Sequence, residues 1–290
     1  MDPRLTSLDF ETLLRSLSDL LMPRVCVVCG RQLLVQERHI CLGCMADLPF
    51  THYEGMARNP MADRFNARIE ASRYAPAAAL FHYDEDAPYG RITRALKYGG
   101  DLGEGRLFAS LLGRRMAASG LWDGVDLVVP VPLHWSRRFS RGYNQAEIIG
   151  RALAVELGAV CSPRLLRRVR RTSSQARLDM ASKEANVAGA FAVRPSVARR
   201  LAVGLSESSL SSQIAADGSA PAASLAVREA QMHPASDAMP PGDFGRPLRV
   251  LLCDDVFTTG ATLAACAAAL RSYFGDRILV SAATLGCVDV

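Results

Sequence analysis

Four short, mostly apolar runs punctuate the chain: Ala77 to Tyr83, Leu127 to Leu133, Val250 to Cys253 and Ile278 to Leu285. Their length and their content of Val, Leu and Ile predict strands buried in a parallel sheet. Between and around them, apolar residues recur at helical spacing in Tyr89 to Tyr98, Leu107 to Ala118, Gln145 to Leu157 and Thr262 to Tyr273. Strands and helices taking turns predict an α/β fold, a sheet with helices on both faces. Leu5, Leu8, Leu13, Leu17 and Leu20 predict an amphipathic N-terminal helix over residues 1–22. Asp9, Glu11 and Asp19 interrupt it, and it lacks the basic start and unbroken apolar centre of a signal peptide. A cytoplasmic protein is therefore expected. No window reaches the roughly 18–20 apolar residues of a membrane span, so none is expected.

One long segment breaks the alternation. From Ser196 to Gly245, 28 of 50 residues are Ala, Ser, Gly or Pro, and Phe244 is the single aromatic. Little there can offset the entropy of ordering, so 196–245 reads as a disordered insertion in a domain spanning 75–290.

The net charge of +5 is small for 290 residues and by itself gives no argument for nucleic acid. Its distribution says more. Arg164, Arg167, Arg168, Arg170 and Arg171 form one cluster, and Arg137, Arg138 and Arg141 a second. Each is either a solvated face or a site for phosphate-rich ligands, which guanidinium forks match in pairs.

Four of the eight cysteines fall in two Cys-x-x-Cys pairs, Cys26/Cys29 and Cys41/Cys44. Two such pairs suit a tetrahedral zinc ion, so residues 23–50 predict a zinc-ribbon-like module with a structural Zn2+. A reducing cytosol argues against disulfides. His39 is a possible substitute ligand or a surface residue. Cys161, Cys253, Cys266 and Cys287 sit among apolar neighbours and read as small core residues.

The run Val250 to Cys253 ends in Asp254 and Asp255, and then in Thr258, Thr259, Gly260, Ala261 and Thr262 before the next helix. Acids emerging at the carboxyl end of a buried strand lie where open α/β sheets bind ligands. A tight Thr/Gly loop opening onto a helix directs N–H groups and hydroxyls at one spot, which suits a phosphate. Two carboxylates beside it suit the vicinal hydroxyls of a ribose and a magnesium ion held through water or sugar oxygens. The pattern therefore predicts a ribose 5-phosphate site.

This stretch resembles the phosphoribosyl pyrophosphate (PRPP) signature of type I phosphoribosyltransferases. Three further segments occur in order: "ALKYGG" from Ala95, "VVPVPLHWSRRFSRGYNQAEIIG" from Val128 and "RRTSSQARLDMASKEANVAGAF" from Arg170. Together with the cysteine pairs they resemble the ComF family (ComF/GntX-like, amidophosphoribosyltransferase-like), linked to competence and DNA uptake. The resemblance implies a type I phosphoribosyltransferase-like sheet with PRPP, carrying Mg2+, at its carboxyl edge. It implies that Asp254 and Asp255 bind the ribose hydroxyls and that Thr258 to Thr262 cradle the 5-phosphate. It also makes His134, Arg137, Arg138 and Arg141 candidate contacts of the pyrophosphate, and Lys97 a further candidate cation of the PRPP site. Arg171, Thr172, Gln175 and Lys183 match a mobile flap. In the family the residue three before the asparagine, here Asn186, is usually arginine; Lys183 keeps the charge and loses the fork.

Asn144 and Gln145 either cap the helix that follows or contact ligand. Trp135 and Tyr143 either stack on a base or pack. Three activities are compatible with these motifs: phosphoribosyl transfer to an unknown acceptor, PRPP or nucleotide binding by a regulator without turnover, and handling of single-stranded DNA. The expected partners are PRPP or a related ribose phosphate, single-stranded DNA and competence proteins.

Overall fold

The apolar runs do form strands, and their pairing places the acids. β1 (Ala77–His82), β2 (Leu127–Pro130), β3 (Val160–Cys161), β6 (Leu248–Phe257) and β7 (Ile278–Cys287) make one parallel sheet in the order β1-β7-β6-β2-β3. A two-stranded antiparallel ladder, β4 (Leu166–Arg168) with β5 (Phe191–Val193), stands apart from it. The helices are α1 (Leu42–Ala46), α2 (Pro60–Asn66), α3 (Gly90–Tyr98), α4 (Leu102–Ser119), α5 (Gln145–Leu157) and α6 (Ala261–Phe274). The structure, a computed structural model, describes residues 23–69, 73–98, 102–133, 142–170, 187, 189–203 and 246–289. The N-terminal helix expected over 1–22, the loop carrying His134, Trp135, Arg137, Arg138 and Arg141, and the flap residues Arg171, Thr172, Gln175, Lys183 and Asn186 lie outside the described residues.

Because side chains alternate along a strand, the sheet separates two cores. Val250, Leu252, Leu127, Val129, Ala77 and Ala79 face one, with Leu263, Cys266 and Leu270 of α6 and Met61 and Phe65 of α2. Leu251, Cys253, Val128, Ala78 and Leu80 face the other, with Phe108 and Leu112 of α4 and Ile149 and Leu153 of α5. Burial on both faces explains why the strands read as apolar runs rather than alternating ones.

Three expectations change. The strand expected over Val250 to Cys253 runs from Leu248 to Phe257, because β7 pairs with it on to Phe257↔Cys287. Helix α4 begins at Leu102, five residues before the expected Leu107, and buries Glu104 and Gly105 in its first turn. Residues 196–203, the start of the expected insertion, belong to a helical segment at 195–203 that buries Ala198 and Ala202. The remainder, 204–245, lies outside the described residues. The stretch between the expected cysteine module and the main domain is also core: Tyr53, Met61, Ala62 and Phe65 are all buried.

Gly150 sets how closely α5 approaches the sheet. A Cβ there would lie 2.7 Å from Pro130 Cγ and 2.9 Å from Cys253 Sγ, so only glycine lets the helix rest on the ends of β2 and β6.

Candidate functional site

The chain leaves β2 through α5 toward β3 on one side, and leaves β6 through α6 toward β7 on the other. The carboxyl ends of β2 and β6 thus flank a topological switch point, where open α/β sheets form a crevice. β2 stops pairing with β6 at Pro130↔Cys253, whereas β7 continues. Asp254 and Asp255 are the first residues of β6 beyond that stop, half-buried, with one neighbouring strand instead of two. Their place follows from the unequal lengths of β2 and β7.

Lys97, at the end of α3, approaches Asp255 with Nζ–Oδ2 at 3.0 Å. The motif around Ala95 and the acidic pair, distant in sequence, therefore meet at one edge. Burial disfavours the Lys97 charge, but Asp255 outweighs it, and the lysine is held above its ordinary pKa. Asp254 goes the other way. Burial first, and then repulsion from Asp255, push its carboxyl up to about 8, against the smaller pull of a backbone N–H, Lys97 and Arg168. One carboxyl of the pair is thus readily protonated near neutrality while the other is paired with a cation.

The sign of that shift gives a testable consequence. A carboxyl with a folded pKa above its unfolded value favours folding in its protonated form, fully below about pH 4, and loses that contribution as pH rises through about 8. Asp254→Asn keeps the neutral form at every pH. We expect the variant to match wild type near pH 4 and to exceed it by about 1–3 kcal/mol at pH 8.5, with a screening discount for the part-exposed residue. Urea unfolding at the two pH values measures this.

Thr258, Thr259 and Gly260 form the turn that leads into α6, with Ala261 and Thr262 in its first turn. Gly260 takes φ +79°, and a Cβ there would lie 2.6 Å from the Phe257 ring. The Thr259 hydroxyl accepts from the Ala261 N–H at 3.3 Å. Arg64 of α2 fastens the turn from outside. Its guanidinium donates to the Thr258 carbonyl and, at 2.6 Å, to that of Val288, and it lies 5.0 Å over the Phe257 ring. Gly260→Ala is expected to cost about 2–4 kcal/mol, from the strained φ together with the clash, as read by denaturant unfolding.

Asn144 occupies the N-cap position of α5 but makes no capping bond with its side chain. Its Nδ2 instead donates to the Val131 carbonyl at 3.0 Å, tying the end of β2 to the start of α5. Tyr143 donates its hydroxyl to the Leu96 carbonyl at 2.7 Å, beside Lys97. Both residues position the crevice walls. Gln145 is buried, and its Nε2 has no hydrogen-bond partner among the described residues.

Two contributors were not singled out for this edge from sequence. Arg168, on β4, lies 5.4 Å over the Phe191 ring and acts electrostatically on Asp254. Arg64 has no local signal, because its contacts with Thr258 and Val288 span 194 and 224 residues. The arginine cluster from Arg164 was the available clue to the first. Nothing comparable existed for the second.

Two carboxylates beside a Thr/Gly turn can take a polyol hydroxyl pair on one side and an anion on the other. Lys97 adds a cation beside Asp255.

At the other end of the described chain, the Sγ atoms of Cys26, Cys29, Cys41 and Cys44 all lie within 4.8 Å of one another, without His39. The Cys29 and Cys41 sulfurs are 3.8 Å apart. A Zn–S bond of about 2.3 Å sets tetrahedral sulfurs about 3.8 Å apart, so the donor set fits such an ion. Backbone N–H groups support the thiolate form: Cys41 N–H points at Cys26 Sγ at 3.4 Å, and Cys44 N–H at Cys41 Sγ at 3.4 Å. Burial opposes ionisation of Cys26, yet bonds from the backbone at Cys29, Cys41 and Val28 outweigh it and bring the thiol down to about 7. Burial and the neighbouring thiols push Cys44 up instead. The buried Glu37 braces the module by accepting from the backbone of Leu34 and Leu42, each at 2.8 Å, and pairing with Arg31 at 3.2 Å. Four cysteines so arranged can hold a metal ion. Among the described residues, no helix is long and apolar enough to cross a membrane.

No family model matches the chain. It is 24% identical over 175 residues to competence protein F of Haemophilus influenzae, covering 58% of this chain and 76% of that protein. It is 29% identical over 173 residues to DNA utilization protein YhgH of Salmonella typhimurium, covering 58% of this chain and 70% of that protein. The YhgH of Salmonella typhi matches at the same identity and coverage.

Proposed function

We propose, from its likeness to competence protein F and YhgH, that the chain is a ComF-family protein that binds PRPP and transfers the phosphoribosyl group to a base or amine acceptor, releasing pyrophosphate. The names of its relatives refer to competence and DNA utilization, the setting in which we place this activity. The observation that carries the reading is the acidic pair at the switch point, followed directly by the Thr/Gly turn and with Lys97 on Asp255.

In this reading Asp254 and Asp255 hold the ribose 2- and 3-hydroxyls, and Thr258 to Thr262 hold the 5-phosphate against the start of α6. The transition state is oxocarbenium-like: the C1–O bond to pyrophosphate breaks as the acceptor's lone pair forms the new bond to C1, and the acceptor loses a proton. The protein works by position and electrostatics, with the carboxylates facing the positive charge that develops on the sugar. The carboxylate oxygens are hard donors of the kind magnesium takes, and they would reach it through water or ribose hydroxyls. Bound magnesium would neutralise charge on the departing pyrophosphate. Lys97 shares Asp255 until a ligand arrives and then adds its charge to the phosphate side. Arg137, Arg138 and Arg141 would complete the pyrophosphate contacts, and Arg171, Gln175 and Lys183 the closing flap. The cysteine cluster takes a structural Zn2+ that fixes the module to the main domain.

Pyrophosphate release from PRPP and magnesium, measured across a panel of nucleobases and amines, tests the transfer. We expect release with at least one acceptor and none from Asp254→Asn/Asp255→Asn. PRPP binding without release across the panel would reduce the function to that of a ligand-binding regulator.

A further inference from the structure

The edge of the sheet opposite Asp254 and Asp255 carries a second concentration of charge. At the amino ends of β1, β6 and β7 a cavity of about 130 Å³ is lined by Arg73, Arg249 and Arg271, with Tyr74, Leu121 and Trp122 among its other walls. A wider cavity of about 510 Å³ shares Ile69 and Arg271 with it and adds Arg68. The two adjoin at Ile69 and Arg271, and together make a cleft region with a narrow and a broad part.

The arginines of the narrow part are under-used by the protein itself. Arg249 donates through Nη1 to a carbonyl, that of Asp123, and carries no ion pair among the described residues. Arg73 is exposed and has neither hydrogen bond nor ion pair among them. The Nη2 of Arg271 lies 3.8 Å from Asp276, whose side chain is 92% exposed and so neutralises little. The Nη1 of Arg271 is buried without a partner among the described residues. Among the described residues, Asp276 is the one acid that lines either cavity. A buried N–H without an acceptor is costly, and like charges sharing a cleft repel one another. An anion relieves both. The cleft lies at the C-terminal end of α6, where the helix dipole opposes an anion, so the arginines must supply the attraction.

We propose that this cleft binds a small phosphate monoester with a planar or apolar organic part, the class that includes nucleoside monophosphates. The phosphate fits the guanidinium forks in the narrow part. The organic part lies along the apolar walls and into the broad part. Arg249 and Asp254 are on the same strand five residues apart, about 17 Å at the rise of a parallel strand, so this site and the one at the carboxyl edge can be filled together. β6 and α6 run from one site to the other.

The test is calorimetric titration of the full chain with AMP and, separately, inorganic phosphate. The proteins are wild type, Arg73→Gln, Arg271→Gln and Asp254→Asn/Asp255→Asn. AMP is expected to keep a binding event in the aspartate variant, which removes the carboxyl-edge ribose site that AMP would also fill, and that remaining event is expected to be at least tenfold weaker in each arginine variant. Arg73 is exposed and unpaired, so its variant keeps the test valid should Arg271→Gln misfold. Competition by inorganic phosphate locates the attraction in the phosphate. Loss of AMP binding in the aspartate variant with unchanged binding in Arg73→Gln overturns the proposal. So does a wild type that binds neither probe at millimolar concentration. Because the aspartate variant is measured alongside, failure here is distinguishable from failure of the PRPP reading.

Discussion

Replacing Cys26 and Cys41 together by serine is expected to remove the metal and lower the stability of the chain by about 3–6 kcal/mol, less than the binding energy of an isolated zinc peptide because packing remains. One ligand is lost from each pair, so neither half of the site can compensate. Both cysteines are buried, in the same core as Phe81 of β1, Ile92 of α3 and Phe108 of α4. The module is also tied to α3 by Arg91, whose Nη1 donates to the Val28 carbonyl at 2.9 Å. Loosening the cysteines therefore exposes part of the main domain's core as well as the module. Elemental analysis should fall from about one zinc per chain to none, and the urea midpoint should drop with it. Wild-type stability in a metal-free variant would show that the cluster is dispensable to the fold.

The second large effect is on ligand binding. Asp254→Asn/Asp255→Asn is expected to weaken PRPP with magnesium by at least about a hundredfold, or about 3 kcal/mol. Charged acceptors are exchanged for neutral amides whose donor half faces sugar hydroxyls and an incoming cation. The partner of Lys97 also becomes neutral, so the 3.0 Å ion pair that holds it at the edge is lost. Stability of Asp254→Asn alone should move the opposite way above neutral pH, since Asp254 is held up to about 8 by burial and by Asp255. A variant that folds better and binds worse indicates a site that keeps an unfavourable charge for its ligand. Equal affinity in wild type and variant would remove the carboxylates from the account.

Much of this edge was legible in the sequence, because the information is local. Val250 to Cys253 is apolar, the acids follow it, and the turn residues follow the acids, so strand, acidic pair and turn read off in one pass. Both cysteine pairs are equally local, and their Sγ atoms do meet within 4.8 Å. What was not legible depends on partners far along the chain. The extension of β6 to Phe257 is fixed by β7, and the emergence of Asp254 by where β2 stops. Composition misjudged residues 196–203: a segment rich in small residues looks like poor core, yet Ala198 and Ala202 are buried. Asn144 was weighed as a cap or a ligand contact; its side chain makes no capping bond, and its Nδ2 bonds to Val131 instead.

The central claim is that the carboxyl edge of β6 is a PRPP site. Its most direct test is the thermal midpoint of the full chain against PRPP concentration, with magnesium present, for wild type and Asp254→Asn/Asp255→Asn. A ligand that binds only the folded state raises the midpoint by mass action. The account predicts a steady rise in wild type and a flat line in the variant. A flat wild type, or an equal rise in both, would contradict it.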